Sequence, residues 1–83
     1  MKYQSLADVL RRRRCELDLR QADVARACGL TPTAICLIEN GQRMPEFDRL
    51  PQLAEALGLD LDDLFDRALQ ERAPVLYDAL NGA

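Results

Sequence analysis

The sequence predicts an all-α domain of five helices followed by a short tail helix. Apolar side chains recur three and four residues apart along nearly the whole chain, which is the spacing of one buried helix face. No segment alternates apolar and polar residues in the manner of a half-buried strand, and no repeat or long linker divides the chain. With 83 residues, the chain has room for one domain with a modest core.

The first two predicted helices are short and closely spaced. Ser5 is a suitable N-cap for the first helix, which we expect to end near Asp18. Its inward face is predicted to consist of Leu6, Val9, Leu10 and Leu17. The second helix is expected from Gln21 to about Cys28, and Gly29 is the left-handed residue that ends it. Its inward residues are Val24, Ala25 and Cys28.

The third helix carries a strong start signal. Thr31 is its predicted N-cap and Pro32 lies in its first turn, where a missing N–H costs nothing. We expect it to cover residues 32–39, with Ile35 and Ile38 inward, and to stop at Asn40-Gly41.

The last two helices follow a loop. Pro51 is tolerated only in the first turn of a helix, so the fourth helix is expected from about Asp48 to Leu57. Asp60 is predicted to cap a fifth helix over residues 61–72. The inward residues of the fourth helix are expected to be Leu50, Leu53, Ala54 and Leu57, and the apolar residues of the fifth helix are Leu61, Leu64, Phe65, Ala68 and Leu69. Beyond Pro74 a short amphipathic tail is predicted.

Several classes of function are not expected. The sequence shows no signal peptide and no apolar run of roughly 20 residues, so we expect a cytoplasmic protein away from membranes. The chain has an odd number of cysteines, Cys15, Cys28 and Cys36, which argues against a disulfide framework. Because it has no histidine, we expect no metal site. Ser5 is the only serine and no phosphate-binding loop is present. We therefore expect no enzyme, no cofactor and no small-molecule ligand.

The net charge of −3 conceals an uneven distribution. Residues 1–45 carry eight basic and five acidic side chains, whereas residues 46–83 carry three basic and nine acidic ones. A molecule charged in this way can direct its positive end to a phosphate backbone.

Two short helices joined by Gly29-Leu30-Thr31 predict a helix-turn-helix motif over residues 21–40. The segment LRQADVARACGLTPTAICLIENGQRMP, followed by LPQLAEALGLDLDDLF, resembles the Cro/cI-type (XRE) family of phage repressors and bacterial regulators. The resemblance covers roughly residues 6–69. It implies a compact five-helix lambda-repressor-like domain at residues 1–73, whose helix 32–39 enters the major groove of a palindromic operator as part of a dimeric repressor.

The resemblance also implies roles for individual residues. Gln21, Asn40 and Arg43 match positions that bind phosphate, and Arg14 matches the partner of Glu39 in a structural ion pair. The residues expected to face the groove are Thr31, Pro32, Thr33, Cys36 and Leu37. From their positions in the sequence, Gln42 and Arg11 are further expected phosphate contacts.

The groove-facing set is unusually apolar, because bases are read best by arginine, lysine, asparagine and glutamine. Thr33 and Leu37 are suited to the thymine methyl group, so specificity is expected to rest largely on DNA shape and on phosphate contacts. A second reading stays open, in which the chain is a protein-binding helix-turn-helix module or an antitoxin-like subunit.

The tail at residues 74–83, together with the fifth helix, is a candidate for dimerisation. Val75, Leu76, Tyr77 and Leu80 give it an apolar face suited to a second copy of the chain. The alternative, that the tail folds back to cover its own core, also stays open.

Overall fold

The protein is all-α in a computed structural model that describes residues 4–74 and 79–80, and no strand occurs within them. The helices are α1 (Leu6–Glu16), α2 (Gln21–Cys28), α3 (Pro32–Glu39), α4 (Leu50–Leu57) and α5 (Leu61–Arg72). One turn of 3-10 helix, Phe47–Arg49, precedes α4. The predicted fold class is confirmed, whereas most of the predicted tail lies outside the described residues.

Side-chain caps begin three of these helices where the sequence predicts them. Ser5 Oγ accepts the backbone N–H of Asp8 at 3.1 Å, which satisfies a donor left over at the start of α1. Thr31 Oγ1 accepts from Ala34 in the same way at the start of α3. At α5 the Asp60 carboxylate accepts the N–H of Asp62.

Arginines from elsewhere in the chain bind the ends of α2 and α4. Both helices stop at glycines with positive φ, Gly29 at 69° and Gly58 at 63°. Arg49 Nη1 donates to the carbonyl of Cys28 at 2.9 Å, and Arg13 Nε donates to that of Leu57 at 2.8 Å. These guanidinium groups satisfy carbonyls at the helix ends, and their positive charges interact favourably with the negative end of each helix dipole.

One aliphatic core connects all five helices. Its buried members are Leu6, Leu10, Val24, Ala25, Cys28, Ile35, Ile38, Leu50, Leu53, Ala54, Leu57, Leu64 and Ala68. Two hydrogen bonds also join the first and last helices: the N–H of Leu6 donates to Glu71 Oε2 at 2.6 Å, and Arg67 donates to the carbonyl of Gln4. The result is a base of α1, α4 and α5 that supports the α2–α3 pair.

Leu17, expected on the inward face of α1, is exposed, and so are two apolar residues of α5. Leu17 is 38%, Leu61 39% and Phe65 45% exposed. Leu17 is the C-cap of α1, already beyond the buried face of the helix. Along α5, Leu64 and Ala68 fill the inward positions, which leaves Leu61 and Phe65 on the flank.

Two helix boundaries also differ from the expectation. The first helix ends at Glu16 instead of near Asp18, because Asp18 has φ 57°, outside the helical region. The fourth begins at Leu50 instead of Asp48, because the 3-10 turn brings the chain to the first helical turn where Pro51 is tolerated.

Candidate nucleic-acid interface

The turn between α2 and α3 is held by backbone hydrogen bonds and a buried plug. The N–H groups of Gly29 and Leu30 both donate to the carbonyl of Ala25, which closes the end of α2. Leu30 packs against the core from the turn, and Ile35 and Ile38 are buried from α3. The opposite side of α3 is therefore presented outward.

That outward side contains the residues expected to face a groove. Thr31, Pro32 and Thr33 are exposed, and Cys36 and Leu37 are half-buried. Thr33, Leu37 and Asn40 follow one another at intervals of four and three residues, so they form one stripe along α3 and its C-cap. Because α3 has no basic residue, this stripe offers methyl groups, one hydroxyl and one amide.

The loop after α3 is folded back onto the helix end. The N–H groups of Gln42 and Arg43 both donate to the carbonyl of Leu37, at 2.9 and 3.2 Å, and Gly41 adopts φ 74° to allow it. The side chains of Asn40, Gln42 and Arg43 are exposed. Three polar side chains thus surround the C-terminal end of the α3 stripe.

A buried carboxylate lies directly behind that end. Glu39 is 5% exposed and is the only charged residue in the described part of the chain that is fully buried. Arg14 of α1 donates to it through Nε at 2.6 Å and through Nη2 at 2.9 Å. The hydrogen bond to Glu39 raises the pKa of Arg14 above its ordinary value. The remaining Nη1 donates to the carbonyl of Leu19, in the segment that leads into α2.

The amide of Gln21 belongs to the same network. Its Nε2 donates to Glu39 Oε1 at 3.1 Å, so the start of α2 lies beside the end of α3. This bond takes one of the two N–H donors of the amide, and the other is not bonded within the described residues. Gln21 and the Asn40–Arg43 loop are thereby brought to one edge of the motif.

The remaining expected residues lie apart from this network. Arg11, on α1, is exposed and forms a long ion pair with Asp8 at 3.5 Å. Leu80 is described and is 67% exposed, whereas Val75, Leu76 and Tyr77 lie outside the described residues. Thr31 uses its oxygen as the cap of α3.

Sequence reasoning passed over two arginines, one just before α2 and one on it. Arg20 precedes the helix and pairs with Asp23, and Arg26 is exposed on the next turn. The signal was present in the spacing, because Val24, Ala25 and Cys28 point inward and leave positions 23 and 26 on the opposite face. Neither Arg26 nor Arg43 forms a hydrogen bond or ion pair with another described residue.

Other chemical features of the molecule are few. Within residues 4–74 and 79–80, no group of acidic and cysteine side chains is arranged to hold a metal ion. The cysteines are unpaired, and burial raises the pKa of the Cys28 thiol. No helix in the same ranges is long and apolar enough to cross a bilayer.

Comparison with known proteins identifies a family and similar proteins. The family described as Helix-turn-helix matches residues 10–64. The ImmF control region 10 kDa protein of Bacillus phage phi105 is 33% identical over 77 residues, which are 93% of this chain and 86% of that protein. The fold is similar to the crystal structure of the P22 c2 repressor protein in complex with synthetic operator 9T, with a TM-score of 0.70 and 31% identity. That match covers 75% of this chain and 94% of the other.

The Glu39 network predicts a specific pattern of stabilities. Glu39→Ala leaves the Arg14 charge without its partner in a largely buried position, so we expect a loss of about 3 kcal/mol of unfolding free energy. For a domain of this size that is roughly 10–20 °C in Tm, measurable by thermal melting followed by circular dichroism. Glu39→Gln keeps a hydrogen-bond acceptor, so its Tm should lie between those of the wild type and Glu39→Ala.

The matched control is Glu16→Ala. Glu16 forms an exposed ion pair with Arg13 at 3.4 Å, and its removal is expected to change stability by less than about 0.5 kcal/mol. Equal melting of Glu39→Ala and Glu16→Ala would show that the buried pair does not stabilise the fold.

Proposed function

The chain belongs to the helix-turn-helix family of Cro/cI-type regulators, and from this premise we propose that it is a sequence-specific DNA-binding transcriptional repressor. It acts as a dimer on a palindromic operator, with α3 in the major groove. The observation that carries the proposal is the exposed stripe of α3 with polar side chains at one end, in a fold similar to that of a repressor solved with its operator. Its place of action is the cytoplasm.

The phosphate contacts are proposed at the edge that Gln21 shares with the loop after α3. The unbonded N–H of the Gln21 amide, and the exposed side chains of Asn40, Gln42 and Arg43, supply donors to one strand. Arg11 is a more distant contact on α1. Arg13, Arg14 and Arg49 bind groups within the protein, so they contribute little to this surface.

Base readout is proposed to depend on methyl contacts. Along the α3 stripe, Thr33 and Leu37 present methyl groups where the groove floor carries the thymine C5 methyl. Thr31, Pro32 and Cys36 border them and exclude water. Because direct readout of this kind is sparse, DNA shape supplies further specificity.

The dimer surface is proposed on the flank of α5. Leu61 and Phe65 lie there at a spacing of four residues, and the Phe65 ring lies 5.2 Å from that of Phe47. Asp62 and Arg72, near opposite ends of the helix, carry opposite charges that would meet if two copies of α5 packed antiparallel about a two-fold axis. Val75, Leu76, Tyr77 and Leu80 of the tail are proposed as further members of the dimer interface.

Selection from a random pool of double-stranded DNA, at two salt concentrations, tests the function. We expect enrichment of a palindrome and a steep fall in affinity with salt. Arg43→Gln should weaken binding to all sequences alike and reduce the salt slope by about 0.9 for each subunit of the bound dimer, whereas Arg43→Lys should keep the slope. Absence of enrichment at low salt would favour a protein-binding module instead.

A second prediction isolates the methyl contacts. Replacing thymine by uracil in the enriched site removes only the C5 methyl, and we expect roughly a fourfold loss of affinity per methyl contacted. Leu37→Ala should bind more weakly and show a smaller uracil penalty, measured by fluorescence anisotropy. An undiminished penalty in this variant would mean that Leu37 does not touch the thymine methyl groups.

A third prediction concerns the dimer. Phe65→Glu places a charge on the proposed interface, so sedimentation equilibrium should give the monomer mass and operator binding should weaken. Leu17→Glu is the matched control, because Leu17 is similarly exposed but lies at the C-terminal end of α1. The hydrogen bond between α1 and α5 is at the other end of α1, at Leu6. Deleting residues 74–83 separates the contribution of the tail. A dimer that persists in Phe65→Glu would locate the interface elsewhere.

A further inference from the structure

One exposed arginine stands beside the proposed phosphate contact at Gln21 without any assigned role. Arg20 is the residue before α2, and 78% of its side-chain surface is exposed. Its guanidinium bonds to Asp23, through Nη2 to Oδ1 at 3.1 Å and through Nε to Oδ2 at 3.2 Å. The positive charge of Arg20, next to Gln21, is therefore already paired with the carboxylate of Asp23.

The Asp23 carboxylate is held independently of that guanidinium. Its Oδ2 also accepts the backbone N–H of Arg20 at 2.8 Å, at the start of α2. The side-chain and backbone hydrogen bonds from Arg20 hold the pKa of the Asp23 carboxyl below its usual value, and the charge of Arg26 adds to this. Asp23 can stay charged and in place as part of the helix start when the Arg20 side chain leaves it.

Exchange of this ion pair for a phosphate costs little. Exposed ion pairs between residues one helical turn apart contribute little to stability. A phosphate oxygen pair offers the guanidinium the same two-pronged hydrogen bonding that Asp23 offers, and binding it releases a condensed counterion from DNA. Because Gln21 is the next residue in the chain, a phosphate bound by its amide would lie close to the Arg20 side chain.

We propose that Arg20 is a further phosphate contact, and that Asp23 holds it in the DNA-free protein and lowers the affinity for DNA by competing for it. This rests on the proposed function at the same edge. In the complex the guanidinium moves from Asp23 to the phosphate next to Gln21, and Asp23 keeps the backbone N–H of Arg20 and the nearby charge of Arg26.

A double-mutant cycle on the full chain tests this, with binding to the enriched operator measured across a salt series. Asp23→Asn keeps an oxygen for the backbone N–H but loosens its hold on the guanidinium, so affinity should rise by up to about fivefold for each bound subunit. Arg20→Gln should lower affinity and reduce the salt slope by about 0.9 for each bound subunit, and Arg20→Lys should keep the slope. In the Arg20→Gln background, Asp23→Asn should give almost no gain.

The controls separate this competition from simple charge effects. Glu55→Gln changes net charge equally on the exposed side of α4, and should leave affinity nearly unchanged. An equal gain from Asp23→Asn in both backgrounds would mean that the carboxylate acts only through its own field. An unchanged salt slope in Arg20→Gln would remove Arg20 from the phosphate contacts. If wild type binds no DNA at low salt, the proposed function itself fails, which is a distinct result.

Discussion

The Glu39 carboxylate, buried at the end of α3, receives hydrogen bonds from Arg14 of α1 and from Gln21 of α2. Three helices therefore meet at one side chain. An ionised group at 5% exposure is tolerated only when its lone pairs are used, and here two guanidinium N–H groups and one amide N–H use them. The same contacts fix where α2 begins relative to the end of α3. The edge proposed to bind phosphate is thus built on a bond that also holds the fold together.

This arrangement changes what the charge distribution means. The excess of basic residues in the first half of the chain suggests a broad positive surface, yet most of its arginines have partners within the protein. Arg13 binds a helix-end carbonyl, Arg14 binds Glu39, and Arg20 binds Asp23. The cations left to attract DNA at long range are few, so the position of each one matters more than the total. A net negative protein can then bind DNA only by aiming a small set of donors at defined phosphates.

The sequence predicts the helices better than it predicts the surfaces. Helix starts were predictable because Ser5, Thr31 and Asp60 act through bonds to residues two or three positions away. The exposure of Leu61 and Phe65 was not predictable, because a helical period marks the apolar side of a helix but not how much of that side the neighbouring helices cover. The pairing of Arg14 with Glu39 spans 25 residues and was indicated by the family resemblance, since no local rule selects one arginine from four in a row.

The apolar stripe of α3 has a consequence for how affinity and specificity divide between residues. The proposed methyl contacts by Thr33 and Leu37 would discriminate thymine by the free energy of small buried areas, which is modest for each contact. A single copy of such a reader gains most of its affinity from phosphates, and phosphate contacts do not distinguish sequences. Specificity then requires either a second copy, which repeats the weak readout at a fixed spacing, or DNA whose shape brings the right phosphates to the edge at Gln21. Because Gln21 bonds to Glu39 at the end of α3, the proposed phosphate contacts and the proposed reading stripe would have to be satisfied together. Phosphate contacts that carry no sequence information would then also select for groove geometry.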